Sequence, residues 1–175
     1  MAIAISAGTT THALTEHLTQ IPNLTVVTNS VWVADELHRA GDSTTSVLLT
    51  GGLRTPSDAL VGPVAVSSLR SLHVDAFFMG VHGMDVRAGF STPNLLESET
   101  NRAMIERSRR LIVCADSSKW GVVGLSSMAR LAEASVLVTD SGISAQASGV
   151  LADHVGELIL VNAAGDRSRE MVADD

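Results

Sequence analysis

The 175-residue chain has 45% hydrophobic and 18% charged residues, a balance that excludes an intrinsically disordered protein and fits one domain with a sizeable core. Acidic residues outnumber basic ones by 19 to 12, so the formal net charge is −7. An acidic surface repels the phosphate backbone, which makes this chain by itself a poor nucleic-acid binder, although a pocket can still be locally positive and take small anions.

Short apolar segments alternate with longer helical patterns along the chain. Their apolar and β-branched positions are consecutive rather than alternating, which is typical of strands buried on both faces of a parallel sheet. The predicted strands are 2–6, 24–28, 46–50, 74–81, 111–115, 136–139 and 158–161. The predicted helices are 10–20, 30–40, 62–72, 95–109 and 144–153. This order predicts right-handed crossovers in an α/β fold, with an open, mostly parallel sheet and helices on both faces.

Two segments carry more detailed predictions. In the helix at 95–109, an apolar stripe is expected to face the core and a charged stripe to face solvent or ligand. The apolar stripe comprises Leu95, Leu96, Ala103, Met104 and Ile105, and the charged one Glu97, Glu99, Arg102, Glu106 and Arg109. The sequence after 162 is polar and ends in two aspartates, which predicts one domain over 1–162 and a frayed tail over 163–175.

Cysteine and histidine usage argues against disulfides and metal sites. Cys114 is the single cysteine, so neither a disulfide framework nor a zinc-binding cysteine pair is expected. His12 and His17 are separated by about 140° around a helix, too far to share a metal ion.

No apolar run reaches the roughly 18 residues of a membrane-spanning helix, and the apolar start at 2–5 lacks the basic flank of a signal peptide. We therefore expect no metal, no cofactor and a cytoplasmic protein.

The segment after the first strand has the composition of an anion cradle. The first predicted helix is preceded by Ser6-Ala7-Gly8-Thr9-Thr10-Thr11. The glycine lets the backbone approach a ligand closely, and the helix start offers unpaired N–H groups beside three hydroxyls. The same residues could equally form an ordinary helix cap without a ligand, and the segment alone does not decide between the two.

Other strand ends add polar residues to the same sheet edge, where ligands of open α/β sheets bind. The second strand is followed by Thr28-Asn29-Ser30 and the third by Thr50-Gly51-Gly52-Leu53-Arg54. The fourth ends in Gly80-Val81-His82-Gly83, and the fifth is followed by Asp116-Ser117-Ser118-Lys119. A polar crevice with backbone donors and Lys119, and with Arg54 as a second candidate cation, favours a phosphorylated polyol over an apolar ligand.

Common catalytic signatures are missing from the sequence. It has no Gly-x-Gly-x-x-Gly after a strand, no Gly-x-x-x-x-Gly-Lys-Ser/Thr and no Gly-x-Ser-x-Gly. Dinucleotides, nucleoside triphosphates and α/β-hydrolase chemistry are therefore not expected. Cys114 lies in an apolar strand, which predicts a small buried hydrophobic side chain rather than a nucleophile.

Taken together, the motifs resemble the effector domain of DeoR-family transcriptional regulators. The resemblance runs from the first strand to about Gly142 and rests on the strand-end motifs above, on Gly62, and on further stretches in the same order. These stretches are Asp75…Phe78-Met79-Gly80-Val81-His82-Gly83-Met84, Glu97…Arg102-Ala103-Met104-Ile105, Asp116-Ser117-Ser118-Lys119-Trp120-Gly121 and Val138-Thr139-Asp140. The ordered series is more specific than any one of its parts.

This resemblance implies a Rossmann-like sheet related to ribose-5-phosphate isomerase and glucosamine-6-phosphate deaminase. In such regulators the domain senses a phosphorylated sugar or related metabolite, and an N-terminal winged helix-turn-helix binds the operator. We expect that DNA reader to be absent here, because the chain opens on what matches the first strand of the effector domain and no part of it is a basic helical unit. Regulators of palindromic operators act as dimers or higher oligomers, so a homo-oligomer is expected.

Four positions depart from the pattern of the family or of the related isomerases. Members commonly carry Asp at the position of Ser6 and often Lys at that of Asn101, and the related isomerases place acidic residues where this chain has His82 and Gly83. Aldose–ketose isomerisation requires a base, usually a carboxylate, beside the bound sugar. The departures therefore favour sensing over catalysis.

We predict a non-catalytic sensor domain of a DeoR-type repressor that binds a phosphorylated sugar. The alternatives are a sugar-phosphate isomerase or deaminase with His82 or Glu97 as base, and an assembly module with a vestigial pocket. The phosphate is expected at the start of the first helix beside Lys119, and the sugar hydroxyls are expected to contact His82, Asn29 and the backbone at Gly52 and Gly83. The predicted ligand-binding residues are Ser6, Gly8, Thr9, Thr10, Thr11, Asn29, Gly51, Gly52, His82, Gly83, Glu97, Asp116 and Lys119.

Overall fold

A computed structural model describes residues 1–40, 44–162 and 167–170. The strands are β1 (Ala2–Ile5), β2 (Thr25–Thr28), β3 (Ser46–Leu49), β4 (Leu53–Arg54), β5 (Leu60–Val61), β6 (Ala76–Gly80), β7 (Gly83–Asp85), β8 (Gly89–Thr92), β9 (Leu111–Cys114), β10 (Ser126–Ala129), β11 (Val136–Asp140), β12 (Leu158–Val161) and β13 (Arg167–Glu170). The α-helices are α1 (Thr9–His12), α2 (Thr15–Leu18), α3 (Val31–Arg39), α4 (Pro63–Leu69), α5 (Leu95–Glu106) and α6 (Ala145–Ala152).

The largest sheet has eight strands in the order β13-β12-β11-β9-β6-β1-β2-β3. All neighbouring strands in it are parallel except β12 and β13, which are antiparallel. The chain leaves β1 through β2 to β3 and then returns to place β6 on the other side of β1. The strand order therefore reverses between β1 and β6. This architecture confirms the predicted α/β fold with an open, mostly parallel sheet.

The two faces of the sheet are covered by different helices. On one face, Ile3 and Ile5 of β1 pack in a cluster with Val33 and Leu37 of α3. On the other, Ala4 of β1 belongs to a larger cluster that includes Leu69 of α4, Met104 of α5 and Leu151 of α6. Successive residues of a strand point to opposite faces, which explains why the strands are apolar at consecutive positions. No helix within the described ranges is long and apolar enough to cross a membrane.

Two small antiparallel sheets, which the sequence did not predict, extend the fold. One has the order β10-β8-β7, and the other is the hairpin of β4 and β5. The first requires Gly89, whose φ is +66° and whose absent Cβ would lie 2.1 Å from the carbonyl oxygen of Ala129. These strands are two to four residues long, too short to show a periodic pattern.

Some predicted boundaries and faces are wrong. The single helix expected at 10–20 is divided into α1 and α2, and the Thr15 hydroxyl at the break donates to the carbonyl of His12 (2.7 Å), a local bond that competes with regular helix. In α5, Leu95 is exposed, whereas Ser98, Thr100 and Asn101 are buried with Met104. Ser98 and Asn101 pack on β10, where the Ser98 hydroxyl donates to the Ser127 carbonyl (3.1 Å), and the Thr100 hydroxyl accepts the N–H of Gly62 (3.3 Å). Most of the tail predicted at 163–175 lies outside the described residues.

Candidate functional site

A cavity of about 450 Å³ lies beyond the carboxyl ends of the central strands, where the strand order reverses between β1 and β6. Open α/β sheets bind ligands in this position, because the loops on either side diverge and leave a crevice. Eight of the predicted site residues line the cavity: Gly8, Thr9, Thr10, Asn29, His82, Glu97, Asp116 and Lys119. Their role in binding stays a prediction, but the structure brings them to one place.

The loop between β1 and α1 presents free backbone donors. Gly8 has a φ of +145°, and the N–H groups of Gly8, Thr9 and Thr10 form no hydrogen bond within the described part of the chain. Because α1 has only four residues, its macrodipole is small, and the amides themselves are the relevant groups. The side chains of Thr9 and Thr10 are exposed beside these amides. This loop can therefore donate several hydrogen bonds to an anion.

Two predicted residues of the same loop hold it in shape instead of lining the cavity. The buried Ser6 hydroxyl accepts the N–H of Gly80 (2.9 Å) and so joins the ends of β1 and β6. The buried Thr11 hydroxyl donates to the carbonyls of Ser6 (2.9 Å) and Gly8 (3.0 Å). Both side chains are thus engaged in positioning the backbone.

Asn29 connects this loop to the hairpin. Its Oδ1 accepts the N–H of Ala7 (3.0 Å), and its Nδ2 donates to the carbonyl of Leu60 (3.2 Å). The side chain is buried, although it also lines the cavity. Its amide therefore fixes the distance between the β1 loop and β5.

Lys119 provides a cation at the cavity wall, and it is the only lysine in the chain. It lies in a short 3₁₀ turn, Ser117–Lys119, with its Nζ 3.8 Å from Asp116 Oδ2. Asp140, at the end of β11, accepts hydrogen bonds from the amide and the hydroxyl of Ser117. These bonds favour the ionised form and hold the pKa of the Asp140 carboxyl below its ordinary value. The turn that carries Lys119 is thus anchored to the sheet.

Glu97 connects α5 to two loops at the cavity wall. Its Oε1 accepts the hydroxyl of Ser57 (2.9 Å), and its Oε2 accepts that of Thr92 (3.1 Å). Asn94 caps α5 by accepting the N–H groups of Leu96 (3.0 Å) and Glu97 (3.2 Å). The carboxylate is thereby held in place as a hydrogen-bond acceptor.

His82 lies at the end of β6 with an exposed side chain. Within the described residues its ring forms no hydrogen bond, either with Glu97 or with another side chain.

Asn101 contributes a buried polar group that has no partner. The residue is only 7% exposed and lines the cavity together with Met128, whose sulfur accepts the Asn101 Nδ2–H (3.1 Å). Its Oδ1 is buried and forms no hydrogen bond within the described residues. Such an atom costs free energy unless a water or a ligand pairs with it. In the sequence, Asn101 stands out only because the family often has Lys at this position, and no pattern predicts that it lines a cavity.

Three predicted glycines lie away from the cavity. A Cβ on Gly52 would approach the Val61 carbonyl oxygen to 2.6 Å, and one on Gly83 would approach that of Val122 to 2.0 Å. Gly51 is also outside the cavity lining. Gly52 and Gly83 therefore admit neighbouring backbone, and their expected approach to a ligand stays a prediction.

The second candidate cation and the cysteine also lie apart from the site. The Arg54 guanidinium pairs with Asp58 (2.6 Å), and Arg54 does not line the cavity. Burial raises the pKa of the Cys114 thiol to about 11, so the thiol stays protonated at neutral pH.

Part of the cavity wall comes from two loops that the sequence analysis did not single out. The hairpin loop between β4 and β5 contributes Pro56, Ser57 and Ala59, and the segment before α5 contributes Thr92, Pro93 and Asn94. Both loops contain the sequence Thr-Pro followed by Ser or Asn. That combination of proline with short polar residues is a turn signal that could have drawn attention to them.

The sequence matches a family model described as the DeoR C-terminal sensor domain over residues 1–141. It is 40% identical over 152 residues to the uncharacterized HTH-type transcriptional regulator YulB of Bacillus subtilis (strain 168), covering 86% of this chain and 58% of the relative. It is 29% identical over 151 residues to the glycerol-3-phosphate regulon repressor of Escherichia coli (strain K12), covering 86% of this chain and 59% of that repressor. The chain thus spans less than two thirds of the length of either relative.

Among solved structures, the ribose 5-phosphate isomerase from Plasmodium falciparum is similar in fold. The TM-score is 0.51 with 8% sequence identity, and the match covers 99% of this chain and 92% of the isomerase chain. At this identity the similarity extends to the fold alone. It agrees with the isomerase-related sheet that the sequence motifs imply.

Proposed function

Because this chain belongs to the DeoR C-terminal sensor domain family, we propose that it binds a phosphorylated sugar or polyol and thereby controls a DNA-binding regulator. In a longer protein, a helix-turn-helix domain would bind the operator, and a cytoplasmic location for such a regulator is part of this proposal. The name of the E. coli relative, a glycerol-3-phosphate regulon repressor, supports a polyol phosphate as the class of effector. The net charge of −7 supports a small anion rather than DNA as the partner of this domain itself.

The observation that carries the proposal is the position of Lys119. The only lysine of the chain lines the same cavity as Gly8, Thr9 and Thr10, whose backbone N–H groups form no hydrogen bond within the described residues. A phosphate accepts hydrogen bonds at several oxygens, and backbone amides with one cation are a common way to hold it. We therefore propose that the phosphate binds to these amides and to Lys119.

The part of the cavity that α5 lines suits the hydroxyls of a sugar. Glu97 is a fixed acceptor, and Asn101, which also lines the cavity, has a buried amide oxygen without a partner among the described residues. A sugar hydroxyl can donate to both groups, and doing so would satisfy the Asn101 oxygen. The cavity is thus donor-rich near α1 and acceptor-rich near α5, which matches a ligand with an anionic head and a hydroxylated body.

The hydrogen bonds that the Glu97 carboxylate accepts favour sensing over catalysis. An isomerase needs a free base beside the sugar, and both oxygens of Glu97 already accept hydrogen bonds from Ser57 and Thr92. Ligand binding would act as a switch if the conformations or assemblies of the whole regulator differ in affinity for the ligand. We therefore propose a non-catalytic role for this domain.

Calorimetry with matched ligands tests the proposal. The panel contains aldose, ketose and polyol phosphates, the same compounds without phosphate, and inorganic phosphate. We expect at least one sugar phosphate to bind much more tightly than its unphosphorylated counterpart. Equal binding of both forms, or no binding by any compound in the panel, would contradict the proposal. Exchange of the C2 proton of the bound sugar into deuterated water would instead support an isomerase.

A further inference from the structure

The strand β3 forms an open and uncharged edge of the main sheet. It pairs with β2 on its inner side, and no strand in the described ranges pairs with its outer side. The segment 46–53, Ser-Val-Leu-Leu-Thr-Gly-Gly-Leu, contains no charged residue. Natural proteins usually protect an open edge with charges, proline or a bulge, because unpaired strands recruit other strands. The strand at the opposite edge, β13, has the charged sequence Arg-Ser-Arg-Glu.

The backbone groups of β3 alternate between its two sides. The N–H of Ser46 donates to the Leu24 carbonyl (2.9 Å), and that of Thr50 donates to the Thr28 carbonyl (3.0 Å). Even-numbered residues therefore direct their backbone groups toward β2. Since neighbouring residues of a strand alternate, Val47 and Leu49 direct their N–H and C=O groups outward, where they have no partner among the described residues.

We propose that this edge pairs with β3 of a second copy of the chain, antiparallel about a two-fold axis at Leu48. In this register, Val47 of each copy lies opposite Leu49 of the other, and the two residues exchange N–H···O bonds in both directions. The Leu48 residues meet on the axis as a non-hydrogen-bonded pair, with Cα atoms about 4.5 Å apart. The two main sheets would then become one continuous sheet.

A second copy suits this edge because the edge is complementary to itself. The spacing of the free donors and acceptors is symmetric about Leu48, as an isologous interface requires. Leu48 and Leu49 are 38% and 41% exposed, and Leu53 and Val64 add exposed apolar surface nearby. Two chains that each carry a charge of −7 repel one another least through an uncharged segment. No β3 residue lines the cavity, so pairing leaves the ligand site open.

Cysteine cross-linking tests the register directly. In Leu48→Cys, the two thiols would meet across the axis at a separation that permits a disulfide, and we expect a covalent dimer under mild oxidation. Leu125→Cys is the control, because Leu125 is 74% exposed but lies outside β3. The native Cys114 is buried and does not interfere. Equal cross-linking of both variants, or none in Leu48→Cys, would overturn the proposal.

Light scattering and sedimentation test the interface without a cross-link. We expect the unmodified chain to form a dimer of twice its 18.3 kDa mass. Leu48→Lys places like charges opposite each other and should raise the dimer dissociation constant at least about tenfold, while Leu125→Lys should leave it unchanged. Circular dichroism verifies that both variants fold; if Leu48→Lys does not, the cysteine variant decides. A monomeric unmodified chain would show that the edge is covered by something other than its own copy, which overturns the proposal.

Discussion

Asp140 and Ser117 join the end of β11 to the turn that follows β9. One carboxylate oxygen of Asp140 accepts the Ser117 N–H (2.6 Å), and the other accepts the Ser117 hydroxyl (2.8 Å). A third bond comes from the N–H of Gly142 (2.8 Å). The same turn carries Asp116 and Lys119 to the cavity. The bonds between Asp140 and Ser117 therefore fix the position of Lys119, the cation of the cavity, relative to the end of β11.

Asp140→Asn should destabilise the fold and weaken the binding of phosphorylated ligands. The substitution removes a charged acceptor and leaves donors of Ser117 without a good partner, which costs about 1–3 kcal/mol. Urea denaturation at neutral pH measures the loss. Asp35→Asn serves as a control, because it removes the same charge from an exposed position on α3. A variant at Asp140 as stable as the one at Asp35 would contradict the anchoring role.

The effect of Asp140→Asn should depend on pH. The hydrogen bonds from Ser117 lower the pKa of the Asp140 carboxyl from its ordinary 3.8. A lowered folded-state pKa means that the stabilisation is complete above about 3.8 and is lost as the pH falls through the lower, folded-state value. The unfolding free energies of the unmodified chain and of Asp140→Asn should therefore converge in acid. A difference that stays constant from neutral to acidic pH would contradict this account.

Gly52→Ala should destabilise the protein much more than Gly51→Ala. Both glycines have positive φ, +116° and +71°, but only at Gly52 would a Cβ collide with backbone, 2.6 Å from the Val61 carbonyl oxygen. We expect a loss of about 2–4 kcal/mol for Gly52→Ala and about 1–2 kcal/mol for Gly51→Ala. Thermal or urea denaturation compares them. Equal losses would mean that the approach of β4 to β5 is looser than the structure has it.

The main sheet could be predicted from sequence because its strands are buried on both faces. Such strands are continuous apolar runs, and Leu111–Cys114 is an example. The hairpin of β7 and β8 could not be predicted in this way. Its place in the three-stranded sheet depends on the pairing of β8 with β10, where Gly89 closely approaches Ala129, forty residues away in the chain, and no local pattern encodes that contact.

Apart from Glu97 on α5, the candidate site could be predicted only where it follows the strands. The loops after β1, β6 and β9 lie at one sheet edge whatever the details of packing, so Gly8, His82 and Lys119 were expected there. Asn101 was not, because α5 turns a polar face toward β10 and the cavity, while its exposed Leu95 would have been placed inward by hydropathy. Which face of a helix is buried depends on the surface it packs against.

Lys119→Gln should weaken the binding of sugar phosphates without affecting the binding of unphosphorylated sugars. The substitution removes the only lysine of the chain from the cavity wall, and a hydrogen bond to a charged group contributes about 1.5–3 kcal/mol. This corresponds to a loss of affinity of about tenfold to a hundredfold by calorimetry.

The control for Lys119→Gln is Arg39→Gln, which changes the net charge equally. The Arg39 side chain is largely exposed on α3 and does not line the cavity. Its variant should bind sugar phosphates as the unmodified chain does. If both variants lose affinity equally, the effect arises from the overall charge and not from a contact with the phosphate.

Asn101→Leu should make the free protein more stable and the ligand complex weaker. The Asn101 Oδ1 is buried and has no hydrogen-bond partner within the described residues. An apolar side chain of similar size removes this unsatisfied acceptor and should add about 1–2 kcal/mol to the unfolding free energy. The same change removes the partner proposed for a sugar hydroxyl, and we expect sugar phosphates to bind about tenfold more weakly, with inorganic phosphate unaffected. Thr139→Val is the control, because the Thr139 hydroxyl is also buried without a partner within the described residues but does not line the cavity. Thermal unfolding measures the stability of the two variants, and calorimetry measures their affinity for ligands. An Asn101→Leu variant that is less stable and binds ligands normally would show that the amide is a structural element of the α5–β10 contact.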